Sequence, residues 1–202
     1  MENIFASYRS HFLTTSEKLK SIMNILEDNE SIKTLTVTSS VPNEGKSFIA
    51  TTLSSELSKQ GKKVLLVDGD WRHPQLGRSM MIERSTGVAG YLAGKCSLDE
   101  AVIKIDDGFY FLDCEEKIND PVDVINSKAF SEFLERAGSK FDIVIVDTPP
   151  LGTFVDAAHI AAKTDATVVV RSATTEKNML QITMSQLTKV NAKVIGSVKN
   201  IV

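Results

Sequence analysis

The 202-residue chain is 42% hydrophobic and 24% charged, with a formal net charge of −3. That length suits one well-cored domain, and the charge balance excludes nucleic-acid binding by bulk electrostatics. Cys96 and Cys114 lack metal-ligand spacing and read as reduced thiols, and no apolar run approaches the roughly 18 residues needed to cross a bilayer.

In chain order, Phe5, Tyr8 and Phe12 fall at near-helical spacing, which suits either a packed face or a partner-binding arm. Thr14, Thr15 and Ser16 precede an acidic first turn. Leu19, Ile22, Met23 and Leu26 then mark an amphipathic helix ending near Asn29. Residues 1–30 therefore read as an N-terminal helical arm, and 31–202 as the core of a single domain.

A β-branched run, Lys33 to Thr38, leads into Ser39-Ser40-Val41-Pro42-Asn43-Glu44-Gly45-Lys46-Ser47, and a helical pattern follows from Phe48 to Gln60, stopped by Gly61. Strand, short loop and Gly-Lys-Ser opening a helix is the context of a phosphate-binding loop. Loop amides and a helix N-terminus converge there on a polyphosphate, Lys46 reaches its terminal groups, and the Ser47 hydroxyl ligates Mg²⁺. Ser40 stands where the usual pattern opens with glycine.

Lys63 to Asp68 is an unbroken apolar run of strand length, as expected for a strand covered on both faces. It ends in Asp68-Gly69-Asp70-Trp71-Arg72-His73-Pro74. Carboxylates at a strand's C-terminal end sit where open α/β sheets bind ligands, although Asp-Gly is also a common turn. Ser97 to Glu100 has capping-box spacing, Phe109 to Leu112 reads as a strand, and Ser127 caps a helix to Ala137. Phe141 to Asp147 repeats the design of an apolar run ending in an acid, followed by Thr148-Pro149-Pro150. An aspartate beyond such a strand holds Mg²⁺ directly or through water. Helix (Val155–Lys163), strand (Ala166–Arg171), helix (Glu176–Val190) and strand (Lys193–Val198) complete the alternation. The expectation is an α/β fold with a mostly parallel central sheet flanked by helices, the P-loop NTPase fold. No Asn-Lys-x-Asp is present to read guanine, so adenine is the default base.

Thr38–Ser47, Val64–Pro74 and Ile143–Pro150 resemble the Walker A, Walker A′ and Walker B motifs of the bacterial tyrosine kinases of capsule and exopolysaccharide synthesis. These belong to the deviant P-loop ATPases, with the partition and cell-division ATPases as relatives. Gly87–Gly94 and Asn119–Phe130 are similar to family spacer segments. Ser40-Val41 supplies no second lysine of the partition type, which favours the kinases. The resemblance implies ATP and Mg²⁺ as cofactors. Pro42, Asn43, Glu44, Gly45, Lys46, Ser47 and Phe48 would hold the phosphates, and Arg171 and Asn200 would lie near the base. Ser47, Asp70 and Asp147 would serve the metal, with Lys46, Asp68 and Asp70 catalytic. Asp68 would accept the tyrosine proton, a role with its own physical case: a phenol of pKa near ~10 attacks faster when a carboxylate takes its proton.

The resemblance further implies autophosphorylation, a transmembrane activator (a polysaccharide co-polymerase) as partner, and a cytoplasmic location at the inner face of the membrane through it. Two features depart from the family. Its tyrosine-rich C-terminal tail does not fall within these residues, being either removed or naturally lacking, and the tyrosines here are Tyr8, Tyr91 and Tyr110. In the Glu-x-x-Arg-x-x-Arg ring-assembly segment Glu17 is kept, but Lys20 and Met23 replace the arginines. Neither offers a bidentate fork, so self-association is expected to be weak. A partition-type ATPase switch and a nucleotide-binding regulatory module without kinase turnover remain the alternative readings.

Overall fold

A computed structural model describes residues 17–82 and 86–200. The aromatic triad at Phe5, Tyr8 and Phe12 and the caps at Thr14 to Ser16 lie outside the described residues. Helix α1 (17–27) is followed by β1 (Thr34–Ser39), α2 (Lys46–Lys59), β2 (Val64–Asp68), α3 (Leu76–Ser79), α4 (Val88–Leu92), α5 (Leu98–Ala101), β3 (Ile103–Asp106) and β4 (Phe109–Leu112). Then come α6 (Pro121–Asn126), α7 (Lys128–Lys140), β5 (Ile143–Asp147), α8 (Asp156–Ala161), β6 (Ala166–Arg171), α9 (Lys177–Lys189) and β7 (Val194–Lys199).

The seven strands form one sheet in the order β3-β4-β2-β5-β1-β6-β7. Every pairing is parallel except that of β3 with β4. Strands β1, β2 and β5 are buried at every position, so their apolar runs need no alternation. Alternate residues serve opposite faces. Val64, Leu66, Ile143, Ile145, Val168 and Val170 join Ile49, Leu53 and Leu57 of α2 and Leu19, Ile22, Met23 and Leu26 of α1. Leu65, Val67, Val144 and Val146 face the other way, against Phe130, Phe133, Leu134 and Ala137 of α7. The N-terminal helix thus shares its core with the sheet.

Local signals are visible in the ends of the elements. Gly61 and Lys62 donate back to the Ser58 and Leu57 carbonyls at 2.9 and 3.1 Å, which closes α2 with a Schellman motif. Ser97 and Glu100 form the capping box reciprocally, and the Ser127 hydroxyl accepts from the Phe130 amide. Helix α2 begins at Lys46, two residues before the expected Phe48, because Gly45 turns the chain and Lys46 already has helical backbone. Helix α7 runs on to Lys140, three residues past Ala137.

This topology fixes where chemistry can occur. Strand β2 lies two places from β1, with β5 between them, so the three loops following their C-terminal ends meet at one spot. Asp68 stands opposite Asp147 in the β2–β5 register, and Asp147 opposite Val37 in β1.

Candidate active site

The loop from Ser40 to Gly45 leaves β1 and bends through two left-handed residues, Asn43 (φ 63°) and Gly45 (φ 83°). Asparagine tolerates that conformation and glycine adopts it freely. A side chain at Gly45 would also collide with the Asn200 amide. Gly45 is the N-cap of α2 and supplies no capping side chain, and no acid stands in the helix's first turn. The positive end of a 14-residue helix therefore faces the cleft.

The cleft encloses about 380 Å³ and is lined by Pro42, Asn43, Lys46, Ser47, Asp68, Asp70 and Asp147, continuing outward along the loops after β2 and β5. Asp68 is 1% exposed. Its Oδ1 accepts the Asp70 amide and its Oδ2 the Leu76 amide, each at 3.1 Å. Burial, with Asp147 nearby, holds its carboxyl well above the usual carboxylate range despite those two bonds. Asp70 is half-buried, accepts the His73 amide at 3.1 Å, and is also raised, chiefly by burial. Burial pushes Asp147 up to about 6, against the pull of Lys46 and a hydrogen bond from the Ser47 hydroxyl.

Gly69, between the two acids of β2, is required by close approach rather than by φ. Its amide donates to the Asp147 carbonyl at 2.7 Å, and a Cβ there would sit 2.6 Å from that oxygen. The Asp-Gly-Asp segment is therefore a pairing of two strand ends as well as a turn.

Oδ1 of Asp147 is buried with no hydrogen-bond partner. An orphaned anionic oxygen beside Ser47 and Asp70, in a cleft with three carboxylates and one lysine, fits a hard divalent cation. No group of three or more His, Cys, Asp or Glu side chains among the described residues forms a protein-only cage. A cation here would take its remaining ligands from phosphate and water, as Mg²⁺ prefers.

The remaining expected residues lie behind the loop. The Glu44 side chain turns away from the cleft and is 2% exposed. Its Oε2 accepts the Ser40 and Val41 amides at 2.7 and 2.9 Å, and its Oε1 accepts the Ser172 amide at 3.2 Å and the Thr175 hydroxyl. Only the Glu44 backbone is therefore left to face phosphate, as a loop amide. Ser40 is buried, and its hydroxyl accepts from Thr183 at 2.9 Å. Asn200 donates to the Glu44 carbonyl at 3.1 Å, its own Oδ1 is buried without a partner, and its amide donates to the Arg171 carbonyl. Neither Arg171 nor Asn200 lines the cleft. Phe48 packs beside the first core cluster.

Motif reading missed the outer end of the cleft. Arg72 Nε and NH2 donate to Oδ2 and Oδ1 of Asp156 at 2.6 and 3.0 Å. The guanidinium lies 5.0 Å from the Phe154 ring centroid. No local signal links residues 84 positions apart.

Fold and cleft together define a P-loop nucleotide-binding protein with acids at the ends of two neighbouring strands. The AAA domain family model matches residues 32–200. A tyrosine-protein kinase of Bacillus subtilis, YwqD, is 30% identical over 92% of this chain and 80% of its own length. The tyrosine-protein kinase CpsD of Streptococcus pneumoniae is 32% identical over 88% of this chain and 79% of its own. The kinase domain of the Escherichia coli tyrosine kinase ETK superposes with a TM-score of 0.84 at 25% identity, covering 91% of this chain and 72% of that one. The chain belongs to the bacterial tyrosine-protein kinases, within the P-loop ATPases.

Among the described residues no helix is long and apolar enough to cross a membrane.

Proposed function

We propose that the protein transfers the γ-phosphoryl group of ATP to a tyrosine hydroxyl, with Mg²⁺ bound among Ser47, Asp70 and Asp147. The observation that carries this reading is the in-register pairing of Asp68 with Asp147 beside Lys46 in one cleft. When bound, the cation neutralises charge on the β- and γ-phosphates and orients them. The α2 N-terminus and the loop backbone hold the phosphates, and Lys46 places its charge against the group being transferred. Asp68 takes the proton of the attacking phenol. Burial and the nearby Asp147 raise its pKa, which makes it a stronger proton acceptor than an ordinary carboxylate. The phenolic oxygen forms its bond to the γ-phosphorus as the bond to the bridging oxygen breaks, and ADP leaves. Arg171 and Asn200, behind the loop, serve the base end of the nucleotide.

The wider setting follows the relatives. The protein works on the cytoplasmic side of the membrane, recruited by a transmembrane activator of capsule or exopolysaccharide synthesis. Met23 is buried in the core and Lys20 is exposed, so the surface that would carry paired arginines is altered and self-association is weak.

Incubation with γ-labelled ATP and Mg²⁺, with and without the activator's cytoplasmic segment, tests the proposal. Label on tyrosine of the chain or a partner protein supports it. Hydrolysis to free phosphate with no protein-bound label under either condition would replace it with a nucleotide-driven switch.

A further inference from the structure

We infer that the outer half of the cleft is the subsite for the phenol ring of the acceptor tyrosine, with Phe154 as the wall against which that ring packs. This rests on the phosphoryl-transfer reading and adds where the second substrate sits. On that reading the inner half of the cleft takes phosphate and cation, and the base end would lie near Asn200, which does not line the cleft. That leaves His73, Gln75, Leu76, Thr153 and Phe154 lining the cleft with no part of the nucleotide to meet. This outer half begins one hydrogen bond from the proposed base, since Oδ2 of Asp68 accepts the Leu76 amide.

The wall is built rather than incidental. Phe154 lies 5.7 Å from the His73 ring, tilted by 37°, and 5.0 Å from the Arg72 guanidinium. Arg72 is in turn held by both oxygens of Asp156, whose side chain is 2% exposed. A planar, bidentate, ring-stacked guanidinium has one geometry, so Phe154 is fixed from behind. A triphosphate gains nothing from an aromatic wall. A phenol does, because it is flat and apolar except at the oxygen that must reach Asp68.

The test uses a glutamate–tyrosine copolymer as acceptor and the full chain with Mg·ATP. Phe154→Leu should raise the KM for copolymer about three- to tenfold, more than it lowers kcat. It should leave affinity for a fluorescent ATP analogue with Mg²⁺ within about twofold, which a merely structural role would not do. Arg72→Lys should shift the copolymer KM the same way by less, and it carries the prediction should the first variant fold poorly. An unchanged copolymer KM, or an equal loss of nucleotide affinity, overturns the subsite. Calorimetric binding of copolymer to the Mg·ADP-loaded protein separates the two levels. Wild type that binds copolymer through Phe154 but transfers nothing leaves the subsite standing and removes the transfer reading, whereas wild type that shows neither binding nor transfer overturns both.

Discussion

At the inner end of the cleft, each part comes from a strand end and the few residues after it: Gly45 to Ser47 after β1, Asp68 and Asp70 after β2, Asp147 closing β5. At the outer end, the wall is assembled from side chains far apart in sequence, with Arg72 reaching across to Asp156 and Phe154. The inner end is set by backbone conformation and sheet register, which short-range sequence controls. The outer end is set by one half-buried ion pair and two contacts to the Phe154 ring, which tertiary packing controls. The chemistry common to P-loop proteins therefore sits on the locally encoded half, and under the proposed subsite acceptor choice would sit on the other.

Large effects are expected at the inner end. Lys46→Met should lower phosphoryl transfer by at least about 10²–10³-fold, the scale of removing a charge-stabilising donor, and weaken Mg·ATP binding, with an unaltered denaturation midpoint. Near-normal transfer by that folded variant would remove the nucleotide chemistry from this loop.

Glu44→Ala acts behind the loop. It leaves the Ser40 and Val41 amides without their acceptor, at a cost of roughly 2–4 kcal/mol. Urea unfolding should show that loss together with weaker nucleotide binding, and a neutral outcome would mean that water replaces the carboxylate.

Gly69→Ala forces a Cβ against the Asp147 carbonyl and Val146. It should destabilise by about 1–3 kcal/mol and lower activity through both acids at once. Retention of stability would show that the two strand ends can spread apart.

A change of similar size has the opposite sign. Asp147 is more easily protonated when folded than when unfolded, so nucleotide-free stability falls as pH rises from the ordinary carboxylate range through about 6. Asp147→Asn should therefore stabilise the nucleotide-free protein at pH 7 by about 1–3 kcal/mol, with the gain vanishing near pH 4, while weakening Mg²⁺-dependent nucleotide binding. A destabilised variant at pH 7 would place a partner on the Asp147 oxygen that now has none.

The same contrast explains what the sequence disclosed. The runs of β1, β2 and β5 were legible because strands buried on both faces are unbroken apolar stretches. Ser97 and Ser127 were legible because caps act within four residues. Strand β3, four residues at the sheet edge with half-exposed alternation, carries too little hydrophobic signal to register, and α6 (Pro121–Asn126) is a single short turn-like helix. The inward turn of the Glu44 side chain follows from donors at Ser172 and Thr175, more than 120 residues away, and no spacing rule reaches them. Met23 was legible as part of the apolar stripe of α1, and its burial agrees, so the position that lacks the family's arginine is a core position.

The central claim is that the two acids at the end of β2 and just after it divide the labour, Asp68 taking the proton and Asp70 serving the cation. Single-turnover transfer of γ-phosphate to tyrosine, measured beside titration of a fluorescent ATP analogue with and without Mg²⁺, tests it most directly. Asp68→Asn should lower the chemical step by about 10²–10⁴-fold with nucleotide affinity unchanged, and Asp70→Asn should lower both rate and Mg²⁺-dependent affinity. Loss of nucleotide affinity in Asp68→Asn as large as in Asp70→Asn would contradict the account and assign both carboxylates to the metal.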